Sequence, residues 1–256
     1  MTAGLIIIAI IGLLAVLSHR RTRFEQKVFR HVPVNEWLTL IVFPLLMFIG
    51  WALVVKNIIL RPSINLISID DFDFTIVMMI FMMYAFVGNS LHFTSKIIWR
   101  YLPEKDNHKM VYRVNEMFHG RLSHYLVYVT ISIVLLLMAI IELNHPVIAR
   151  ISDWLGLFLL IVGVVFGFSS AKAIFYTNQW FGGYNKPLSI FASIALIILV
   201  AIFKTFQISF YYYPVSFFIL VINVSFLGSF FMRQFLIFTR LNNKHKLRFL
   251  QKIFSA

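Results

Sequence analysis

Residues 125–143 read YLVYVTISIVLLLMAIIEL, an apolar run whose single ionisable residue, Glu142, lies at its far end. As an α-helix rising 1.5 Å per residue, such a run matches a hydrocarbon core of about 30 Å, so it predicts a membrane span. Stretches of the same kind recur along the chain, at 3–18, 37–56, 74–99, 122–143, 153–175, 187–205 and 209–232. They predict an all-α fold: a polytopic membrane helix bundle of about seven transmembrane helices, forming a single domain over residues 1–256.

Composition points the same way. Hydrophobic residues make up 60% of the chain and charged residues 13%, with a mean hydropathy of +0.85. A soluble domain carries roughly 45–50% apolar and about 25% charged residues, and one aqueous core could not hide the excess. The net charge of +13 would suggest nucleic acid in a soluble protein. Here the basic residues flank apolar spans, so anionic lipid headgroups are the expected counter-charge, and no nucleic-acid partner is expected. The chain has no cysteine, which removes disulfides, thiolate metal sites and cysteine catalysis together.

Of the 23 Lys and Arg, only Lys56, Arg61, Arg150 and Lys204 fall on one side of these spans. The positive-inside rule makes the other side cytoplasmic, with the N-terminus outside and the C-terminus inside a cell (plasma) membrane. The first run, AGLIIIAIIGLLAVL, has no basic segment before it, so it reads as an uncleaved anchor and not a secretory signal. Trp37, Trp99, Tyr101, Trp154, Trp180 and Tyr211–Tyr213 fall near span ends, where amphipathic rings prefer the headgroup layer.

Two basic amphipathic segments, 19–36 and 240–256, are expected to lie as helices on the cytoplasmic leaflet. The first puts Phe24, Val28, Phe29 and Val32 on one face; the second does so with Leu247, Leu250 and Phe254, adjoined by Ile253. Both would also suit a membrane-protein partner subunit.

What the spans lack is informative. No Asp, Glu, Lys or Arg falls near the middle of any span, and Glu142, Lys96, Lys172 and Lys204 sit close enough to an end to reach water. That argues against a proton pump, a voltage sensor or an ion-coupled transporter. The last span has no lysine for a retinal Schiff base, and no Gly-x-Ser-Gly of rhomboid type occurs. The acidic run DDFD (Asp70, Asp71, Asp73) falls on the outer side. It reads as a solvated loop, with weak Ca²⁺ or Mg²⁺ binding as the alternative. Asn223, in mid-span, is expected to hydrogen-bond between helices.

The residues with chemistry gather just before the opening stretch. NEMFHGRLSH (Asn115–His124) places Glu116, His119, Gly120 and His124 at the mouth of the fourth span. The third span ends VGNSLHFTSKIIW, with Asn89, His92 and Lys96 on one helical face. An antiparallel hairpin would bring His92 and His124 to a similar depth.

Three chemistries fit these residues. In one, His92 and His124, with His119 as substitute, are axial ligands of a b-type haem in electron transfer, and Gly120 leaves room for the macrocycle. In another, Glu116 and His119 form a Glu-x-x-His pair for zinc or iron, completed by His92 or His124, in an intramembrane metal-dependent enzyme. In the third, Asn89, Lys96 and Ser123 line a polar vestibule, with Ser169, Ser170, Asn178 and Gln179 added from later spans and Lys96 paired with Glu116. Histidines that only pack and hydrogen-bond are the plain alternative. The lack of buried ionisable groups and catalytic motifs favours a non-catalytic protein, either transport-type or a subunit of a membrane complex.

Overall fold

The computed structural model describes residues 2–18, 27–30, 32–101, 110–174 and 185–254. They form eight helices and one two-stranded ladder. In chain order these are α1 (Thr2–Ser18), β1 (Val28–Phe29), β2 (Val32–Pro33), α2 (Val34–Ile59), α3 (Asp71–Tyr101) and α4 (Met110–Asn144). After them come α5 (Asp153–Ile174), α6 (Asn185–Thr205), α7 (Pro214–Arg240) and α8 (Asn243–Phe254). Five helices are long and apolar enough to cross a membrane, over Val34–Ile59, Asp71–Trp99, Met110–Asn144, Asp153–Ala171 and Pro214–Arg240. Gly4–Leu14 and Ser189–Thr205 are shorter apolar stretches. Large apolar side chains such as Ile161, Ile197, Phe231 and Phe235 point outward from the bundle, as they do when lipid replaces water as solvent.

The bundle is assembled in pairs: α3 packs along α4, α5 along α7, and α1 along α2, while α4 also meets α6 and α7. Ile58, Met78, Val134, Met138, Ile141, Leu159, Leu199 and Ile219 fill the centre and are almost fully buried. Small residues set the close approaches. A Cβ on Gly167 of α5 would run into the Ile222 and Phe226 backbone of α7, and Gly163 one turn earlier meets Val221. That is the small-xxx-small spacing by which membrane helices bring their backbones together.

Helices extend past the hydrophobic stretches that announced them. α4 begins at Met110 rather than 122, so NEMFHGRLSH lies within a continuous helix and is not a helix start. α7 starts later than expected, at Pro214 rather than 209, but runs on to Arg240 rather than 232. Proline is tolerated at the first helical positions, where its missing N–H would be unpaired anyway; Phe210–Tyr212 form the turn before it and Tyr213 is the N-cap.

The 19–36 segment departs from the expected amphipathic helix. Val28–Phe29 pairs antiparallel with Val32–Pro33, and Arg30 turns the chain at φ 48°. Pro33 cannot sit inside a helix; it stands instead at the N-cap of α2. Residues 19–26 and 31, including Phe24, lie outside the described residues. At the other end α8 is capped by Asn242, whose Oδ1 accepts the His245 N–H at 3.0 Å. Asn223 does not bridge helices: its amide donates to Ile219 O of its own helix, 2.9 Å.

The charge-poor end is locked by a buried polar network. Glu142, expected to reach water, is 0% exposed. Its Oε1 accepts from Arg61 Nη1 (2.9 Å) and the Val215 N–H (3.2 Å), and its Oε2 from the Ser216 N–H (2.7 Å) and hydroxyl (2.8 Å). A carboxylate from α4 therefore caps the start of α7, where the helix dipole favours negative charge, and Arg61 neutralises it. Burial and this carboxylate push the neighbouring Tyr213 phenol above its ordinary pKa.

The same network ties down the loop before α3. Arg61 Nη1 also donates to His145 O (2.8 Å), and Asn144 both donates to and accepts from the Ile67 backbone. His145 Nε2 lies 2.9 Å from Asp71 Oδ2. Asp70 caps α3 by accepting the Phe72 and Asp73 N–H groups. The DDFD run is thus a helix start with an imidazole partner. Among the described residues no three His, Asp or Glu are disposed to hold a metal ion.

Candidate functional site

Two helices lose their α-register at the basic end of the bundle, and α3 repairs both. In α2, Leu38–Val42 is π-helical, with the Phe43 N–H bonded to Leu38 O. Pro44 has no N–H, so the carbonyl four residues before it, Leu40, lacks its helical donor and is crowded by the ring. The side-chain amide of Asn89, on α3, donates to that Leu40 carbonyl.

In α4, Met117–Leu122 is π-helical, and the Ser123 N–H bonds Phe118 O, passing over His119 O. The His119 carbonyl instead receives the hydroxyl of Ser123 and, at 3.3 Å, Nδ1 of His92. The same His92 Nδ1 lies 3.3 Å from the Ser123 hydroxyl, so imidazole, hydroxyl and carbonyl form one cluster. Asn89 and His92 are three residues apart, so one polar face of α3 serves both interruptions. Gly88 permits this: a Cβ there would meet Leu126 Cβ at 2.6 Å and Ser123 O at 3.0 Å. Isolated π-segments inside α-helices recur at functional sites.

The three histidines singled out in the sequence come together. Ring centroids of His92 and His119 are 4.4 Å apart, and those of His92 and His124 are 5.0 Å apart, stacked within 27° of parallel. Trp99 lies 5.9 Å from His119, and Tyr128 packs edge-on against His124. Axial haem ligands point ring nitrogens at one iron from opposite sides, whereas these rings lie face to face. Glu116 is exposed on α4 and is not drawn into the cluster.

Lys96 pairs with Glu36 of α2, not with Glu116; the Nζ–Oε1 distance is 3.8 Å, with side chains 31% and 15% exposed. Glu36, Lys96, Trp99 and His119 line a pocket of about 260 Å³. Ser123 is fully buried behind it, and Asn89 is committed to Leu40. Ser169 and Ser170 stay on α5, which packs against α7 and α1, and neither lines this pocket. Asn178 and Gln179 lie outside the described residues.

Buried polar atoms without a hydrogen-bond partner among the described residues occur in several parts of the bundle, on Trp51, Arg61 and Gln234 and also near this pocket. Asn35 Oδ1, Asn115 Oδ1 and His119 Nδ1 are buried and have no hydrogen-bond partner among the described residues. Asn35 adjoins Glu36, and the Asn115 amide is tied to Ser95 O (3.0 Å), next to Lys96. A buried unpaired polar atom costs about 1–3 kcal/mol and is rare enough to need a reason.

Sequence reasoning missed Asn35, Glu36 and Asn115 and read Trp99 only as an interfacial anchor. The available signal was Asn35-Glu36, a polar pair at the start of an apolar run. Set against known proteins, the chain matches no family model, no curated protein and no solved structure.

Proposed function

We propose that this chain is a seven-span integral membrane protein of the plasma membrane that binds a small polar ligand at its basic end. It works without catalysis, as a transport-type protein or as a subunit of a membrane complex. The observation that carries this reading is the pocket of Glu36, Lys96, Trp99 and His119, to which the π-helical segment of α4 contributes His119, whose buried Nδ1 has no hydrogen-bond partner among the described residues. A site kept only for packing would be expected to satisfy that atom internally.

α1 and α6 complete the count of seven. The excess of Lys and Arg at the pocket end supports a cytoplasmic location for it, with the N-terminus outside. Anionic lipids are the partners expected there.

Two experiments test this. Because the chain has no cysteine, single cysteines at Thr2 and Ser255 can be reacted with an impermeant maleimide on intact cells. Labelling at position 2 alone is expected; labelling at 255 alone would reverse the orientation. For the site, small molecules and lipids are extracted from protein purified in mild detergent and identified by mass spectrometry. A species held by the wild type and by His108→Ala, and lost from His92→Ala and Lys96→Gln, is expected. An identical set in all four would sink the proposal.

A further inference from the structure

The pocket of Glu36, Lys96, Trp99 and His119 has a chemistry that narrows its ligand. Among the described residues its charged side chains are Lys96 and Glu36, opposite in sign and on different helices, 3.8 Å apart. An anion drawn to Lys96 would be repelled by Glu36, and a cation the reverse. A ligand carrying both charges meets neither penalty. We propose that the pocket takes a zwitterionic headgroup of the phosphoethanolamine class, a primary ammonium joined to a phosphate, presented by a membrane lipid. This assignment rests on the reading that the pocket binds a ligand at all.

Each part of such a headgroup has a counterpart. The ammonium finds the Glu36 carboxylate and the face of Trp99, a favourable site for a cation. The phosphate finds Lys96 and an imidazole N–H of His119. The volume of about 260 Å³ suits a small polar group, since sites for drug-sized molecules start at about 300 Å³.

Depth supports a lipid source. From Ile59 back to Glu36 on α2, from Asp71 to Lys96 on α3, and from Glu142 back to His119 on α4, a rise of 1.5 Å per residue gives about 34–38 Å. With hydrocarbon about 30 Å thick, all three helices put the pocket in the headgroup layer of the basic side. The surroundings leave a path for acyl chains. Trp99, Met117 and Leu122 face outward, and a side chain added at Gly120 would touch nothing within 4 Å.

The test is native mass spectrometry of the full chain in mild detergent. Phosphatidylethanolamine, phosphatidylcholine and phosphatidylglycerol are added separately, and soluble phosphoethanolamine is added as competitor. Phosphatidylethanolamine should be retained about tenfold more than either other lipid. Glu36→Gln should erase that preference, and Lys96→Gln should lower retention of phosphatidylethanolamine to the level of the other two. Both variants should elute as the wild type does on size-exclusion chromatography, which separates lost binding from lost folding. Phosphatidylglycerol held as well as phosphatidylethanolamine, or retention indifferent to both variants, would overturn the assignment. Displacement by an equal concentration of soluble phosphoethanolamine would support the recognition chemistry and overturn the lipid source. A different molecule lost from the same variants overturns the headgroup alone; no variant-sensitive molecule of any kind overturns the proposed function with it.

Discussion

Replacing Glu142 with Ala removes one carboxylate and leaves four donors without it: Arg61 Nη1, two backbone N–H groups at the start of α7, and the Ser216 hydroxyl. Arg61 is only 8% exposed, so water cannot readily take the place of the lost partner. Breaking a buried ion pair from one side typically costs about 3–5 kcal/mol, most of it the uncompensated charge left behind, and we expect that loss here. Glu142→Gln keeps an acceptor oxygen for the helix start and should cost about half as much. Arg61→Met strands the carboxylate instead, and should fall in the same range as Glu142→Ala. The double variant Arg61→Met/Glu142→Gln strands no charge, so its cost should be smaller than the sum of the singles by about 2–3 kcal/mol. The assay is reversible unfolding in mixed micelles of detergent and SDS, followed by tryptophan fluorescence and circular dichroism. A Glu142→Ala cost below about 1 kcal/mol, or strict additivity in the cycle, would refute the claim that this carboxylate holds α4, the start of α7 and the loop after α2 together.

Further outcomes follow from other contacts. Gly88→Leu should cost about 1–3 kcal/mol or prevent assembly, since the side chain would strike Leu126 and the Ser123 carbonyl. Gly120→Ala, with open space around it, should be neutral or stabilising by up to about 1 kcal/mol; equal effects of the two in the same unfolding assay would contradict the α3–α4 packing. Asn89→Leu should cost about 1–3 kcal/mol by leaving Leu40 O unpaired, and about 1 kcal/mol less beside Pro44→Ala, whose restored N–H can serve that carbonyl. The same cost in both backgrounds would dissociate the π-segment from the proline. Protein expressed with haem supplied should show a flat visible spectrum, because the histidine rings stack on one another. A Soret band that sharpens on reduction and disappears in His92→Ala would overturn that reading.

The membrane bundle was legible because span length and apolar content are local properties, set within some twenty residues by the thickness of hydrocarbon. The similar depth of His92 and His124 was legible for a related reason: two successive long helices form a hairpin, and the rise per residue then aligns their depths; that their rings meet was not, because helix rotation is set by packing. Helix ends were less so. Met110–Glu116 carries no apolar run, and its helix is sustained by packing on α3 through Asn115.

Pairing across the chain was out of reach. Nothing within the run that holds Glu142 says that Arg61 and the start of α7 will close over it. The acid nearest Lys96 by sequence reasoning is Glu116 on the adjoining helix, whereas the packing of α2 brings Glu36 instead. Pro44 did announce a lost hydrogen bond, but not that Asn89 would fill it. The sequence by itself determined an all-helical chain suited to a bilayer and the end at which its histidines gather. Only tertiary structure decided which charges are buried, which carbonyls are released and re-bonded, and which side chains enclose the pocket, because those depend on how each helix turns about its axis against its neighbours.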